Sequence, residues 1–360
     1  MQSRTKLIAV IILLGVVASF AVAAHLKRMT PTEEAYNVKV LESIHSPFYL
    51  PQYLAQNLGF FEEENLNVTI SATSAEAIRA SLIDGRADIV ICGLQRIMFN
   101  PTEGSPQPRA FAVAAARDGS LLLARTENGA GDFQWTDIKG QTIIGSAHDD
   151  STQIALESVL RNYELPPYRG VTIYFNIPDN LRIAAFHAGT GDYIQLLEPE
   201  ASLVEAEGFG KVVAAVGPVA GDMAVTAYAA MPENIEANPE LFQKFTNAIY
   251  KAQLWMSTQS AEKLAEAAAA SFPKLDKTVL INSIRRYQSL GIWAANPMIT
   301  RESYERFHRA AKNAGEIPLD IPFESIVLND FNQIAMENII EIPVIREEEQ
   351  GFLQRFLGRW

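Results

Sequence analysis

The sequence predicts an α/β protein of two similar lobes. Mixed, mostly parallel sheets are flanked by helices, and a two-stranded hinge joins the lobes. Three observations carry this. Strand and helix signals alternate from Tyr36 to about Ala229, the order of β-α-β units with right-handed crossovers. The alternation starts afresh near Asp137. Finally, Gly85-Arg86-Ala87-Asp88-Ile89 is matched by Gly189-Thr190-Gly191-Asp192-Tyr193. In both, a helix ends at glycine and an aspartate precedes an apolar strand. One such match is ordinary turn chemistry. Two, at corresponding places, point to related lobes.

The elements follow in order. Val38 to Ile44 reads as a strand. Pro51 suits the first turn of a helix, where no N–H is missed, and Gly59 suits its end. Asn67 to Ser71 is a strand. Thr73 and Glu76 form a capping box for a helix that stops at Gly85. Ile89 to Cys92 is an unbroken apolar run, as in a strand covered on both faces. Ala110 to Ala115 and Leu121 to Ala124 are further strands. In the second run, Asp137 to Gly145 gives a turn and strand. Asp150 and Gln153 open a helix to Tyr163, and Val171 to Phe175 is a strand. A helix over 180–188 and a strand over 193–197 follow. Met223 to Ala229 returns the chain to the first lobe. Helices then dominate, over 239–258, 261–271, 277–290 and 300–314. The lobes are expected at 36–125 with 223–335, and at 132–218. The crossings fall near Arg125 to Asp132 and Pro218 to Asp222, and residues 336–360 form a C-terminal extension.

Residues 1–30 read as a signal peptide or a membrane anchor. Arg4 and Lys6 precede an apolar run from Leu7 to Ala24. As a helix it would span roughly 27 Å, close to the ~30 Å of a bilayer core. Ala21 and Ala23 offer a small-residue cleavage pattern, whereas Lys27 and Arg28 favour retention. An extracytoplasmic location follows either way. The only cysteine, Cys92, forms no intrachain disulfide and is too far on to carry a lipid anchor. The net charge of −12 argues against nucleic acid and against broad adhesion to anionic lipid. At the C-terminus, Phe352, Leu353, Phe356, Leu357 and Trp360 recur at helical spacing with Arg355 and Arg359 between them. That face packs on the body or meets a membrane interface.

The chain resembles the solute-binding proteins of ABC importers of the nitrate, sulfonate, taurine and pyrimidine-precursor type, which have the type II periplasmic-binding-protein fold. The resemblance rests on Pro51 to Val68, Leu82 to Gly93, Asp137 to Thr152, Gly191 to Gly208 and Asn238 to Met256. It implies two lobes closing on one small molecule, an ABC permease in the membrane as partner, and no chemistry. A monomer without cofactor is expected.

Ligands of open α/β sheets lie beyond the carboxyl ends of the strands. That places the site at Ser46, Phe48 and Tyr49, at Gly93 and Gln95, at His148, Asp149, Ser151 and Thr152, at Asn176 and at Glu198. Phe48 and Tyr49 suit either stacking on a flat ring or packing beside the first helix. Gln95 and Asn176 suit either ligand contact or turn capping. Glu198 suits a turn next to proline, and His45 and His148 suit structural hydrogen bonding. Relatives often carry small or glycine-rich residues where this chain has His148-Asp149-Asp150. A helix N-terminus attracts an anion by roughly 0.3–1 kcal/mol. A carboxylate about 4 Å away repels it by around 4 kcal/mol at an effective dielectric of 20. A neutral or cationic ligand, with heterocycles among the candidates, is therefore favoured over nitrate or sulfonate, unless Asp150 only caps the helix and Asp149 is solvated.

No catalytic signature competes. The sequence has no G-x-S-x-G elbow, P-loop, H-E-x-x-H motif or Cys/His cluster with metal-ligand spacing. Pyrimidine-synthesising enzymes share the resembled fold, but their cysteine-rich iron site cannot be built from Cys92 alone. The alternative is a membrane-anchored ligand sensor of the same fold.

Overall fold

Among the described residues, ten strands form two five-stranded sheets with the same internal order. The computed structural model describes residues 34–98, 106–126, 132–317 and 319–343. The leader and the helical-spacing stretch from Gly351 lie outside them. The first sheet contains β1 (Tyr36–Glu42), β2 (Leu66–Ala72), β3 (Ile89–Gly93), β4 (Arg109–Ala112) and β10 (Thr226–Ala230), in the order β2-β1-β3-β10-β4. The second contains β5 (Leu121–Arg125), β6 (Thr142–Ile144), β7 (Thr172–Tyr174), β8 (Tyr193–Leu196) and β9 (Gly210–Ala215), in the order β7-β6-β8-β5-β9.

Each sheet has a parallel core and one antiparallel strand placed fourth. β1 and β3 run parallel, as do β6 with β7 and with β8. β10 lies antiparallel to β3 and β4, and β5 antiparallel to β8 and β9. The paired glycine–aspartate motifs do the same work in each sheet. The Asp88 carboxylate accepts from the Lys39 N–H in the middle of β1 at 2.8 Å, and Asp88 N–H donates back to Lys39 O. The Asp192 carboxylate accepts from the Thr142 N–H at the start of β6 at 2.8 Å, and Asp192 N–H donates to Thr142 O. Gly85 and Gly189 both hold positive φ, which allows the helix to end and the chain to turn into the strand.

Two expectations are corrected. Leu121–Arg125 belongs to the second sheet, so the first crossing runs from about 113 to 120, before β5. An apolar strand at a lobe boundary satisfies either sheet, and only its pairing with Leu196 and Ala215 decides. Ser74 rather than Thr73 caps the helix Ala75–Ile83, accepting from Ala77 N–H. β9 and the helices Leu94–Met98, Glu200–Ala206 and Val216–Ala220 had no separate prediction. The two crossing segments run side by side: Val216 N–H donates to Ser120 O at 3.0 Å and Met223 N–H to Ala116 O at 2.9 Å.

The first sheet is covered by the long helix Pro239–Met256 and by Asp330–Asn338. Phe111 on β4 sits among Tyr228, Phe242, Phe245 and Phe331, with ring centroids 5.3–6.4 Å apart. The second core gathers Leu121, Leu123, Ile144, Phe186, Ile194, Leu196, Ala201 and Val204. Cys92 is buried in β3, which pushes its thiol up to about 12.

Candidate functional site

The carboxyl ends of β1, β3, β6 and β8 deliver residues from both sheets to one region between them. The loop after β1 carries Ser46, Phe48 and Tyr49. Ser46 caps the short turn Pro47–Tyr49 by accepting from Phe48 N–H, and its hydroxyl donates to Glu198 O across the interface. Phe48 is buried, stacked on Tyr49 at 5.6 Å and facing Tyr287 at 6.1 Å. It leans on Gly119, where a Cβ would stand 2.7 Å from its ring. Phe48 is therefore packed against protein. Tyr49 is also buried, with its hydroxyl 3.0 Å from Ser43 Oγ. Burial raises the Tyr49 pKa, and the carboxylate of Asp150 adds to that shift.

Gly93 ends β3 and lets Gln95 fold back over it, since a Cβ there would lie 2.4 Å from Gln95 Oε1. Gln95 is 5% exposed and donates to Asp149 O at 2.9 Å. The acceptor is a carbonyl, so the amide orientation is set, and Gln95 Oε1 is left buried without a partner. Asp149 forms an ion pair with Arg96 at 2.6 Å. Its charge is thus answered from the first sheet.

Asp150 caps the helix Ser151–Asn162, accepting from the N–H and the hydroxyl of Thr152, both at 2.8 Å. Ser151 and Thr152 are buried on the first turn of that helix. Burial raises the Asp150 pKa, against the pull of the Thr152 bonds. His148 turns away from this cluster. It is exposed and pairs with Glu316 at 3.0 Å, which raises its pKa. Asn176 is exposed after β7, the edge strand, apart from the others.

Glu198 is fully buried, and protein donors take both carboxylate oxygens. Arg286 reaches Oε1 at 2.5 Å, joined by the Ser202 hydroxyl at 3.0 Å. Ser202 N–H and the Ser283 hydroxyl reach Oε2 at 3.0 and 3.2 Å. Its own N–H donates to the Tyr287 hydroxyl at 2.8 Å. With Ser46 this makes Glu198 a clasp between the two sheets. His45 is structural too, bonded to Glu42 at 2.7 Å and to Ser271 O at 2.9 Å, and the Glu42 bond raises its pKa.

Sequence reasoning missed Asp118, in the first crossing, and Gln195, in β8. Asp118 Oδ1 accepts from the N–H and hydroxyl of Ser120, while Oδ2 is buried without a partner. Burial raises its carboxyl to about 7, with Asp150 contributing repulsion and the Ser120 bonds opposing. Gln195 donates to Ser120 Oγ at 2.7 Å and to Thr152 O at 2.9 Å, leaving its own Oε1 unpartnered. The signal in the sequence was Asp118-Gly119-Ser120, a polar step between two apolar strands at a strand end. Among the described residues, no three His, Cys, Asp or Glu side chains converge as a metal site, and no helix is long and apolar enough to cross a membrane.

Two like-ordered sheets meeting at a polar interface give the two-lobed α/β architecture of the periplasmic-binding-protein fold. The chain belongs to the NMT1-like family, whose model matches residues 47–271. It is 34% identical over 311 residues to the Bacillus subtilis (strain 168) protein named "Putative binding protein YtlA", covering 86% of this chain and 91% of that one. Among solved structures, a ligand-binding component of an ABC-type import system from Staphylococcus aureus, with zinc bound, superposes with a TM-score of 0.69 at 14% identity, over 83% of this chain and 99% of that one. The periplasmic nitrate-binding protein NrtA from Synechocystis PCC 6803 gives 0.66 at 14% identity, over 89% and 98%. The desulfurization enzyme DSZB shares the fold more distantly, at 0.56 and 13% identity over 84% and 99%. At these identities the structures establish the fold, and that fold serves both binding and catalysis.

Proposed function

We propose that the chain is an extracytoplasmic solute-binding receptor that delivers a small neutral or cationic molecule to an ABC permease and does not convert it. The observation that carries this is a set of buried polar atoms without partners at the strand ends of both sheets. Gln95 Oε1 and Thr226 Oγ1 come from the first sheet, and Gln195 Oε1 and Asp118 Oδ2 face the second. A buried polar atom without a partner costs about 1–3 kcal/mol. A ligand between the sheets would supply the missing partners. The family and the importer components among the solved relatives support the same reading. The protein would work as a monomer whose lobes, each built on one sheet, hinge at the two crossings. The apolar leader serves as a cleaved signal or as an anchor, and an anchored form would suit a ligand sensor equally.

A thermal-shift screen of small solutes on the purified protein tests this, with calorimetry on each hit. One site per chain with micromolar affinity is expected, about −8 kcal/mol. Gln95→Ala should weaken that binding by about 1–3 kcal/mol while the fold survives. Stoichiometry other than one, or unchanged affinity in the variant, would move the site elsewhere.

A further inference from the structure

Asp118 and Asp150 stand at opposite ends of one hydrogen-bonded chain. The Asp118 Oδ1 accepts from the Ser120 hydroxyl, which accepts in turn from Gln195 Nε2 at 2.7 Å. The same Nε2 donates to Thr152 O at 2.9 Å, and Thr152 donates its N–H and hydroxyl to Asp150 Oδ1. Each carboxylate thus spends Oδ1 on local donors. Among the described residues, neither is in an ion pair: Arg96 is taken by Asp149, and Arg182 donates to Gln195 O and pairs with Asp179 at 3.7 Å. Asp118, 1% exposed, and Gln195, 0% exposed, each hold one polar atom without a partner, Asp118 Oδ2 and Gln195 Oε1. Thr152 O is a carbonyl, so Gln195 must present Nε2 to it and Oε1 away. Gln95 Oε1, from the first sheet beside Asp149, is a further unpartnered acceptor.

Near Asp150 the Arg96 and Arg182 guanidiniums, each with Nε buried and unpartnered, offset part of the charge, so the excess of acceptors lies at Asp118, Gln195 and Gln95. That excess repels an anion and matches a group with positive charge and several N–H bonds. We propose that Asp118 and Asp150, with Gln195 and Gln95, form the specificity centre of the proposed ligand site between the sheets, and that it selects a small organic cation bearing several N–H donors, such as a protonated amine or amidine. This rests on the receptor reading and names the ligand's chemistry within it.

The test uses the purified protein and two matched sets of probes. The cations are benzylamine, histamine, agmatine and putrescine. The anions are nitrate, ethanesulfonate and benzoate. At least one cation should raise Tm and no anion should. Asp118→Asn and Asp150→Asn should each weaken that cation at least tenfold. Both variants keep the acceptor for their local donors, Asn being a competent helix cap. Without solute, at about pH 8, each should raise Tm, because a repulsive, desolvated carboxylate has been removed. A purely structural carboxylate would lower Tm instead, and that result would overturn the assignment. Binding of an anion in place of the cations would overturn it while leaving the receptor reading intact. Failure of every probe would also count against it, and a solute recovered chemically changed would sink the receptor reading itself.

Discussion

Arg286→Met should lower the free energy of unfolding by about 3–5 kcal/mol, because it leaves the buried Glu198 carboxylate without its cation. The remaining donors, from Ser202 and Ser283, satisfy hydrogen bonds but bring no charge. Arg286 also holds Glu205, so the clasp loses a second ion pair. Glu198→Gln in the same chain should restore most of the loss, since a neutral amide no longer needs the guanidinium. Denaturant unfolding of the two single variants and the double variant measures the coupling. Additive losses would mean that Glu198 and Arg286 do not act as a pair.

Phe111→Ala should cost a similar amount, about 3–5 kcal/mol, by a different route. Its ring is buried among four aromatic rings from β10 and two covering helices, and the cavity left behind has little freedom to collapse. The affinity for solute should be unchanged in the folded fraction, since Phe111 lies in the core under Pro239–Met256 rather than at a strand end. Calorimetry below the transition checks this. A large loss of affinity would mean that the core of the first sheet and the site are mechanically coupled.

Much of the fold was legible because it repeats. The alternation of apolar strands and glycine-ended helices located most elements. Lys277–Leu290 matched at both ends, between the Asp276 cap and the left-handed Gly291. Gly85 with Asp88 and Gly189 with Asp192 announced the like order of the sheets through chemistry that is local: a helix stop and a carboxylate that bonds to the neighbouring strand. The sheet to which β5 belongs was not legible, because Leu121–Arg125 is equally apolar for either partner. β9 was hidden for a related reason. Gly210–Ala215 is short and lacks clean alternation, so its period does not separate strand from helix.

The structure brings about half of the candidate site residues together. Ser46, Tyr49, Gln95, Asp149, Ser151 and Thr152 come together from loops that the strand-end rule identifies. Asn176 obeys the same rule but follows β7, and a rule about strand ends does not say which strand will be at the edge; His148 follows an interior strand, and its exposed ring is drawn off by Glu316. Glu198 reads in the sequence as a ligand contact or a turn residue next to proline, because its cation is 88 residues further on. The repulsion assigned to Asp149 and Asp150 falls on Asp150 alone, since Arg96 answers Asp149. Asp118 went unread because Asp-Gly-Ser is common turn chemistry. Only the pairing of the two crossings buries it.

The most direct measurement is the chemical fate of the bound solute. The protein is saturated with a solute that stabilises it and incubated well beyond the time for exchange. It is then denatured, and the released molecule is identified by mass spectrometry and counted against the chain. A receptor returns one unchanged molecule per chain, with the same yield from wild type and from variants that merely bind more weakly. A product of different mass, formed by the wild-type protein and lost in Asp118→Asn, would show a catalyst built on this fold and contradict the assignment as a solute-binding receptor.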